Sequence, residues 1–457
     1  MNSIGIDTLS KMINGEIIRR GKENEVSGVV IDSRLAKKGS VFFALDGTEL
    51  DGHDFALSAY KNGACAVVVK REIEGADCFQ IKVEDTLKAL YDMAKSYKDR
   101  FDIPFVALTG SAGKTTTKDM TASVLSKKYK TMKTIGNFNS TTGVPLTLFN
   151  LEQGDEIAVV EMGMNHKGEI EKISELVEPD LAMITNVGVT HIENLGSKEN
   201  IFKAKTEITK GLKKGGTLLV NGDDEFFKDY TNDEFNVVKV GINHGDFRAA
   251  DILYSSKGAK FMVDYNGKNY TFCTKIPAKY SVYNALFAIY TGFHFGLNYE
   301  QIKEGLDDFM PTGNRMKIEE VNGITLIDDT YNSNPEALKE ALGLLNRIGG
   351  NNRKVAVLGD MLELGEKSEE EHEACGKAAA ENGVELLLAC GDYAMHYIKG
   401  AGENGMDPGK ALYFFEKNYL VEEVFDFLKE GDFVLVKASR GMKFEDVVDA
   451  IKKGGVF

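Results

Sequence analysis

Thr109-Gly110-Ser111-Ala112-Gly113-Lys114-Thr115-Thr116 decides how the rest of the chain is read. It follows a short apolar run, Phe105-Val106-Ala107-Leu108, which predicts a buried parallel strand. It precedes Lys118 to Tyr129, which predicts a helix. A strand, a glycine-bearing loop and a helix N-terminus together make an anion site. Successive N–H groups converge on a phosphate, the helix dipole adds partial positive charge, and Lys114 adds a full one. The Thr115 hydroxyl is placed to hold Mg2+. The longer phosphate-loop pattern would need Gly where Leu108 stands, so this is the short T-G-x-x-G-K-T-T form. Gly-x-x-Gly alone would read as a turn; with Lys-Thr-Thr behind it and a strand ahead, the stretch predicts nucleotide binding.

Outward from this loop, residues 103–312 alternate strands and helices, the pattern of a doubly wound parallel sheet. Ile157–Val160 is an apolar strand ending in Glu161-Met162-Gly163; Leu181–Thr185 ends in Asn186, with His191 beyond; Thr217–Val220 ends in Asn221-Gly222-Asp223-Asp224. Parallel sheets bind ligands at the carboxyl ends of their strands, so Glu161 is expected to contact Mg2+ directly or through water rather than be a solvated loop carboxylate. His191 alone is balanced between ligand and core histidine.

Lys205 is out of place. In the helix expected over 199–213, Ile201, Lys205, Ile208 and Leu212 recur at spacings of 4, 3 and 4 and share one face. Lys203 lies roughly 200° from Ile201, towards solvent. A buried lysine needs a partner or a lowered pKa. A neutral amine also reacts with CO2 to give a carbamate, an anion able to hold a metal. Snorkelling of the ammonium to the helix edge is the alternative. Further on, alternation about Asn266-Gly267 predicts an added antiparallel hairpin, Ser281–Phe295 an apolar helix, and Pro311-Thr312-Gly313-Asn314 a boundary.

Residues 1–102 predict a small α/β unit with strands at 29–31, 41–45 and 64–69, a helix opening at Asp51 and another over 84–101. Asp32, Ser33 and Arg34 close its first strand; from these residues alone an exposed Asp–Arg pair is the favoured reading over an anion site. Residues 313–457 predict a third, Rossmann-like α/β unit without a phosphate loop of its own, suited to binding a substrate or closing on the nucleotide. Its loop ends carry Asp328-Asp329, Tyr331-Asn332, Asp360 to Glu363 and Lys437 to Arg440. The fold class is thus α/β in three domains, 1–102, 103–312 and 313–457.

Bulk properties agree. A chain of 457 residues suits about three domains. A net charge of −15 argues against a nucleic-acid partner. No apolar run approaches about 18 residues, so no membrane span is expected, and the N-terminus has no secretory pattern. The five scattered cysteines read as reduced thiols of a cytoplasmic protein.

In order along the chain, these residues resemble the Mur ligases of peptidoglycan synthesis. Asp32-Ser33-Arg34, Phe42 to Leu45 with Gly47, and Asp51-Gly52-His53 resemble the family's uridine-nucleotide domain, and Thr109 to Thr116 resemble its ATP loop. Gly136-Asn137-Phe138-Asn139, Thr141, Thr142 and Gly143-Val144-Pro145 resemble the stretch that touches the sugar nucleotide. The resemblance implies metal sites at Thr115, Glu161, His191 and a carbamylated Lys205, with Lys114, His191 and Lys205 catalytic. It implies ATP contacts at Asn284, Arg315 and Asp329, and substrate contacts at Asn332, His372, Ser439 and Arg440. Two departures stand out: Tyr280 and Ser281 replace a usual His-Asn pair, and Ala438 replaces a usual Gly.

The activity implied is ATP-dependent amide-bond formation through an acyl phosphate, with Mg2+. The expected partners are UDP-N-acetylmuramoyl-tripeptide, ending in lysine or diaminopimelate, and D-alanyl-D-alanine; a monomer is expected. Two alternatives stay open. One is a diamino-acid-adding or polyglutamate-adding ligase on the same scaffold, although no Asn-Pro-Arg signature of diamino-acid recognition is found. The other is a non-catalytic ATP-binding module, which would have no use for a second metal site.

Overall fold

The computed structural model describes residues 1–47, 50–255, 257–310 and 313–455. Pro311 and Thr312, in the expected second boundary, lie outside the described residues. The described strands assort into five-, nine- and six-stranded sheets in chain order, plus a two-stranded pair near the N-terminus. This is the expected three-part α/β architecture.

The nine-stranded sheet positions the site. Its parallel core runs Thr217–Asn221, Leu181–Ile184, Phe105–Thr109, Ile157–Glu161, Thr131–Lys133. Every one of Phe105–Thr109 is buried, as a continuous apolar run covered on both faces must be. The chain builds first to one side of Phe105–Thr109 and then to the other. The phosphate loop therefore leaves at the point where the winding reverses, with Glu161 and Asn186 at the ends of the flanking strands. This is the crevice in which open parallel sheets take ligands. Beyond Asn236–Gly241 the sheet continues into the antiparallel strands Phe247–Ser255, Gly258–Tyr265 and Lys268–Thr274. The last two join through Asn266 (φ 55°) and Gly267 (φ 75°), the left-handed pair of a tight hairpin turn.

The helix after the phosphate loop runs Lys114–Leu125, starting four residues before the expected Lys118. Gly113, at φ 81°, caps it in the left-handed region and turns the chain directly into the helix. The helix carrying Lys205 is also shorter than expected: Lys198–Thr206 is α-helical and Glu207–Lys210 tightens to a 3-10 turn, where the Ser174 hydroxyl donates to Ile208 O. The predicted face survives, with Ile201, Lys205 and Ile208 buried and Lys203 exposed.

In the third unit Lys317–Val321 pairs antiparallel with Ile324–Asp329, and the rest of the sheet is parallel. Ile324–Asp329, Phe433–Lys437 and Lys354–Gly359 lie side by side in that order, and Asp329, Lys437 and, beyond the third strand, Glu363 line the cavity that the phosphate loop also lines. The N-terminal sheet orders Glu16–Arg19, Phe79–Lys82, Ala66–Val69, Ser40–Phe43, Gly28–Val30. Among the described residues no helix is long and apolar enough to cross a membrane.

Candidate active site

A cavity of about 800 Å3 opens between the central and third units. Its floor is the phosphate loop. Gly110 sits at φ 153°, and a Cβ there would fall 1.8 Å from Thr185 Oγ1; one at Gly113 would fall 2.9 Å from Asn284 Oδ1. Only glycine fits both places. Asn186 Oδ1 accepts from the N–H groups of Ser111 (3.0 Å) and Ala112 (2.8 Å), fixing the loop from the neighbouring strand end. The N–H groups in the first turn of the Lys114–Leu125 helix have no acceptor within the helix and face the cavity. Lys114 Nζ donates to Gly110 O at 2.6 Å, and burial lowers its pKa against the opposing pull of Glu161.

Glu161 is 1 % exposed. Its Oε1 accepts from the Thr115 hydroxyl (3.2 Å) and Asn139 Nδ2 (2.8 Å), while Oε2 is buried without a hydrogen-bond partner. Hydroxyl and carboxylate oxygens are the donors Mg2+ prefers, and an orphaned carboxylate oxygen beside a phosphate loop fits that ion. His191 caps a short helix at φ 66°, with Nδ1 2.9 Å from Glu363 Oε2 of the third unit. Glu363 is itself at φ 65°, and His191 holds its carboxyl below the usual range. Lys205 is 1 % exposed, and its Nζ has no hydrogen bond or ion pair among the described residues. Burial, and then the charge of Lys114, drives its pKa well down. A neutral amine is a poor Mg2+ ligand, so Lys205 suits this ion only with an oxygen-bearing group added.

From the third unit, Lys437 Nζ pairs with Asp329 Oδ2 and donates to Asn332 O (2.8 Å), and Asp329 Oδ1 accepts from Met316 N–H (3.1 Å). Arg315 lies over the Tyr331 ring at 3.7 Å, and Arg440 approaches the same ring at 5.7 Å while pairing with Glu445. Asn334 Nδ2 donates to Thr190 Oγ1 (3.0 Å) and Val189 N–H to Glu336 Oε1 (3.2 Å), so the third unit grips the loop leading into His191.

The cavity thus collects Ser111 to Thr116, Asn137, Asn139, Thr141, Thr142, Glu161, His191, Asn284, Arg315, Asp329, Asn332 and Arg440 of the expected site residues. Thr109 ends the buried strand and Gly110 makes the turn behind the loop. Asn284 Oδ1 accepts from the Thr117 hydroxyl (3.1 Å), leaving Nδ2 buried and unpartnered. Asp32, Ser33, Arg34 and Gly47 stand apart on the N-terminal unit. Asp32 holds Arg34 through both carboxylate oxygens, which pulls its pKa down to about 2, so the surface-pair reading describes their geometry.

Two expected substrate contacts do not reach the cavity. His372 is fully buried: Nε2 accepts from Met361 N–H (2.9 Å) and Nδ1 faces Ser368 O (2.6 Å). Burial lowers its pKa to about 4, so it is a neutral core histidine that shapes the 360–363 loop. Ser439 Oγ accepts from Leu362 N–H (2.9 Å) and braces the same loop. Lys118, Tyr331 and Lys437 were not among the expected site residues. Each sits inside or beside a recognisable motif, but only the fold turns it towards its partner.

Three family models cover most of the chain: Mur ligase family, catalytic domain, over 25–98; Mur ligase middle domain over 108–292; and Mur ligase, glutamate ligase domain, over 314–440. The chain belongs to the Mur ligase family. It is 36 % identical to the UDP-N-acetylmuramoyl-tripeptide–D-alanyl-D-alanine ligase of Bacillus subtilis, over 97 % of each chain. It is 32 % identical to the Escherichia coli enzyme of the same name, over 100 % of each. The structure superposes on crystal structure I of MurF from Acinetobacter baumannii with a TM-score of 0.91, at 28 % identity, covering 99 % of this chain and 100 % of that one. On MurF ligase from Thermotoga maritima in complex with ADP the TM-score is 0.83 at 29 % identity, covering 93 % and 97 %.

Proposed function

We propose that this chain joins D-alanyl-D-alanine to UDP-N-acetylmuramoyl-tripeptide at the expense of ATP, in peptidoglycan precursor synthesis. Full-length similarity to ligases of that name supports the reaction. The observation that carries the site reading is the orphaned Glu161 Oε2 facing the phosphate loop across from the Arg315–Tyr331–Arg440 cluster.

An amine attacks a free carboxylate poorly because oxide is a poor leaving group. The tripeptide carboxylate therefore attacks the γ-phosphorus of ATP, ADP leaves, and an acyl phosphate forms. The dipeptide amine then adds to the acyl carbon and loses a proton. The tetrahedral species collapses to the amide, expelling inorganic phosphate. Catalysis of the first step is largely positioning and charge neutralisation. Lys114 and the loop N–H groups hold the β- and γ-phosphates. Thr115 and Glu161 would hold Mg2+ at one position, and His191 with carbamylated Lys205 at another; when bound, Mg2+ offsets the phosphate charge. Arg315 and Asp329 meet the nucleotide from the third unit, whose closure excludes water from the acyl phosphate. Arg440 and Asn332 take the dipeptide end. Asn137, Asn139, Thr141 and Thr142 take the sugar nucleotide, with Asp32, Ser33, Arg34 and Gly47 on the uridine side.

In this reading residues 1–102 bind the UDP-sugar, 103–312 ATP and 313–457 the acceptor. Action as a monomer in the cytoplasm, where ATP is at hand, goes with this reading. The test is phosphate release from ATP with the precursor and the dipeptide supplied singly and together. Release should require both. Turnover with a diamino acid or D-glutamate on its own precursor, but none with D-alanyl-D-alanine, would overturn the assignment.

A further inference from the structure

Lys118 lies one turn into the phosphate-loop helix, three residues after Thr115 and four after Lys114, so it shares their face but sits deeper. It is 2 % exposed. Its Nζ is 3.8 Å from Glu161 Oε2 and 3.5 Å from Asp119 Oδ1, and Lys133 Nζ reaches the same Asp119 oxygen at 2.7 Å. Two carboxylates and two ammonium groups thus meet here, and Lys114 is close enough to act on Glu161 as well.

We propose that Lys118 is a positioning residue that neutralises Glu161 in the nucleotide-free protein, so that Mg2+ enters with ATP rather than ahead of it. At 3.8 Å the contact is one of charge and not a hydrogen bond, which leaves the lone pairs of Oε2 available to a second cation. A bare divalent ion approaching Oε2 meets the repulsion of the Lys118 ammonium 3.8 Å from that oxygen. Mg2+ gives up its water reluctantly, so it gains little there. ATP brings the missing negative charge, and Lys118 then balances Glu161 from behind. The competing explanation is a buried pair that only joins helix to strand. Such pairs contribute little net stability against apolar replacements, which leaves their presence here to be explained by what Glu161 does.

The inference rests on Glu161 being a metal ligand, and the experiment separates the two. Mn2+ binding to the nucleotide-free protein is followed by electron paramagnetic resonance for wild type, Lys118→Met, Lys118→Gln, Lys118→Arg and the double variant Lys118→Met/Glu161→Gln. Wild type and Lys118→Arg should bind Mn2+ weakly. The neutral variants should bind it at least about tenfold more tightly, because a unit charge next to the site is gone. The double variant should lose that gain. Tight binding by wild type, no gain in the neutral variants, or a gain that survives Glu161→Gln would each overturn the proposal. So would failure of both neutral variants to unfold cooperatively, since that marks a lysine needed only for the fold. Separately, if Glu161→Gln left the affinity for Mn2+ with ATP unchanged, the metal-ligand reading itself would fall.

Discussion

Glu161 Oε2, Asn284 Nδ2 and the Lys205 amine all belong to the unit bearing the phosphate loop, and none has a hydrogen-bond partner among the described residues. Across the cavity Asp329 is held by Lys437 and Arg440 by Glu445, while Glu336 Oε2 and Ser333 Oγ stay buried without a hydrogen-bond partner; behind that wall His372 is held by two backbone groups. A buried polar group without a partner is costly, and a chain that keeps several in and beside one cavity is keeping them for a ligand. The Lys437–Asp329 and Arg440–Glu445 pairs hold the third unit's side in shape before any ligand arrives. One wall does chemistry; the other presents and closes.

The largest effect that can break this contrast is at Lys114. Replacing it with alanine should lower ligation by about a thousandfold or more, since it removes the one full charge on the transferred phosphate from this loop. The cooperative thermal transition should persist. Turnover above a tenth of wild type, measured as phosphate release, would remove the central wall from the chemistry.

Next comes Lys205. Equilibration with labelled CO2 should give a carbamate carbon signal that is missing from Lys205→Ala, whose turnover should fall by about a hundredfold. An unchanged signal in the variant would mean that the amine is merely buried.

Behind the opposite wall, His372 should affect stability and leave chemistry largely alone. Its pKa in the folded chain is about 4, below the unfolded value near 6.5. Its contribution is therefore complete above about pH 6.5 and is lost as pH falls towards 4, amounting to about 3 kcal/mol. Thermal denaturation across that window should show a flatter pH dependence in His372→Gln than in wild type. Equal slopes would deny that the histidine is held neutral.

The smallest effect is at Arg440. Its side chain is 63 % exposed and already paired with Glu445, so Arg440→Ala should raise the dipeptide KM about tenfold and leave the ATP KM unchanged. A shift in the ATP constant instead would assign Arg440 to the nucleotide along with Arg315.

What the sequence discloses follows the same division. Lys205 was legible because a charged residue on an apolar helical stripe is a local anomaly, and periodicity detects it without knowing the fold. Glu161 and Asn186 were legible as polar residues at the ends of apolar strands. Lys118 was not, because the expected helix began there; only the left-handed Gly113 shows that the helix starts at Lys114 and carries Lys118 inward to Glu161. The burial of His372 was not legible either: its partners, Met361 N–H and Ser368 O, are backbone atoms whose placement depends on how the 360–363 loop folds back. The pairing of Arg315 and Arg440 on one Tyr331 ring joins positions from opposite ends of the third unit, and no local pattern carries it.

Gly110 and Gly113 bear on how this protein could escape an inhibitor. A methyl group at either position would collide with Thr185 or Asn284, residues on other parts of the same sheet unit. Escape there would take coordinated changes at two sites rather than one. A compound that drew its hydrogen bonds from the main chain of residues 110–113, and few from side chains, would press on the stretch with the fewest single-step routes to resistance.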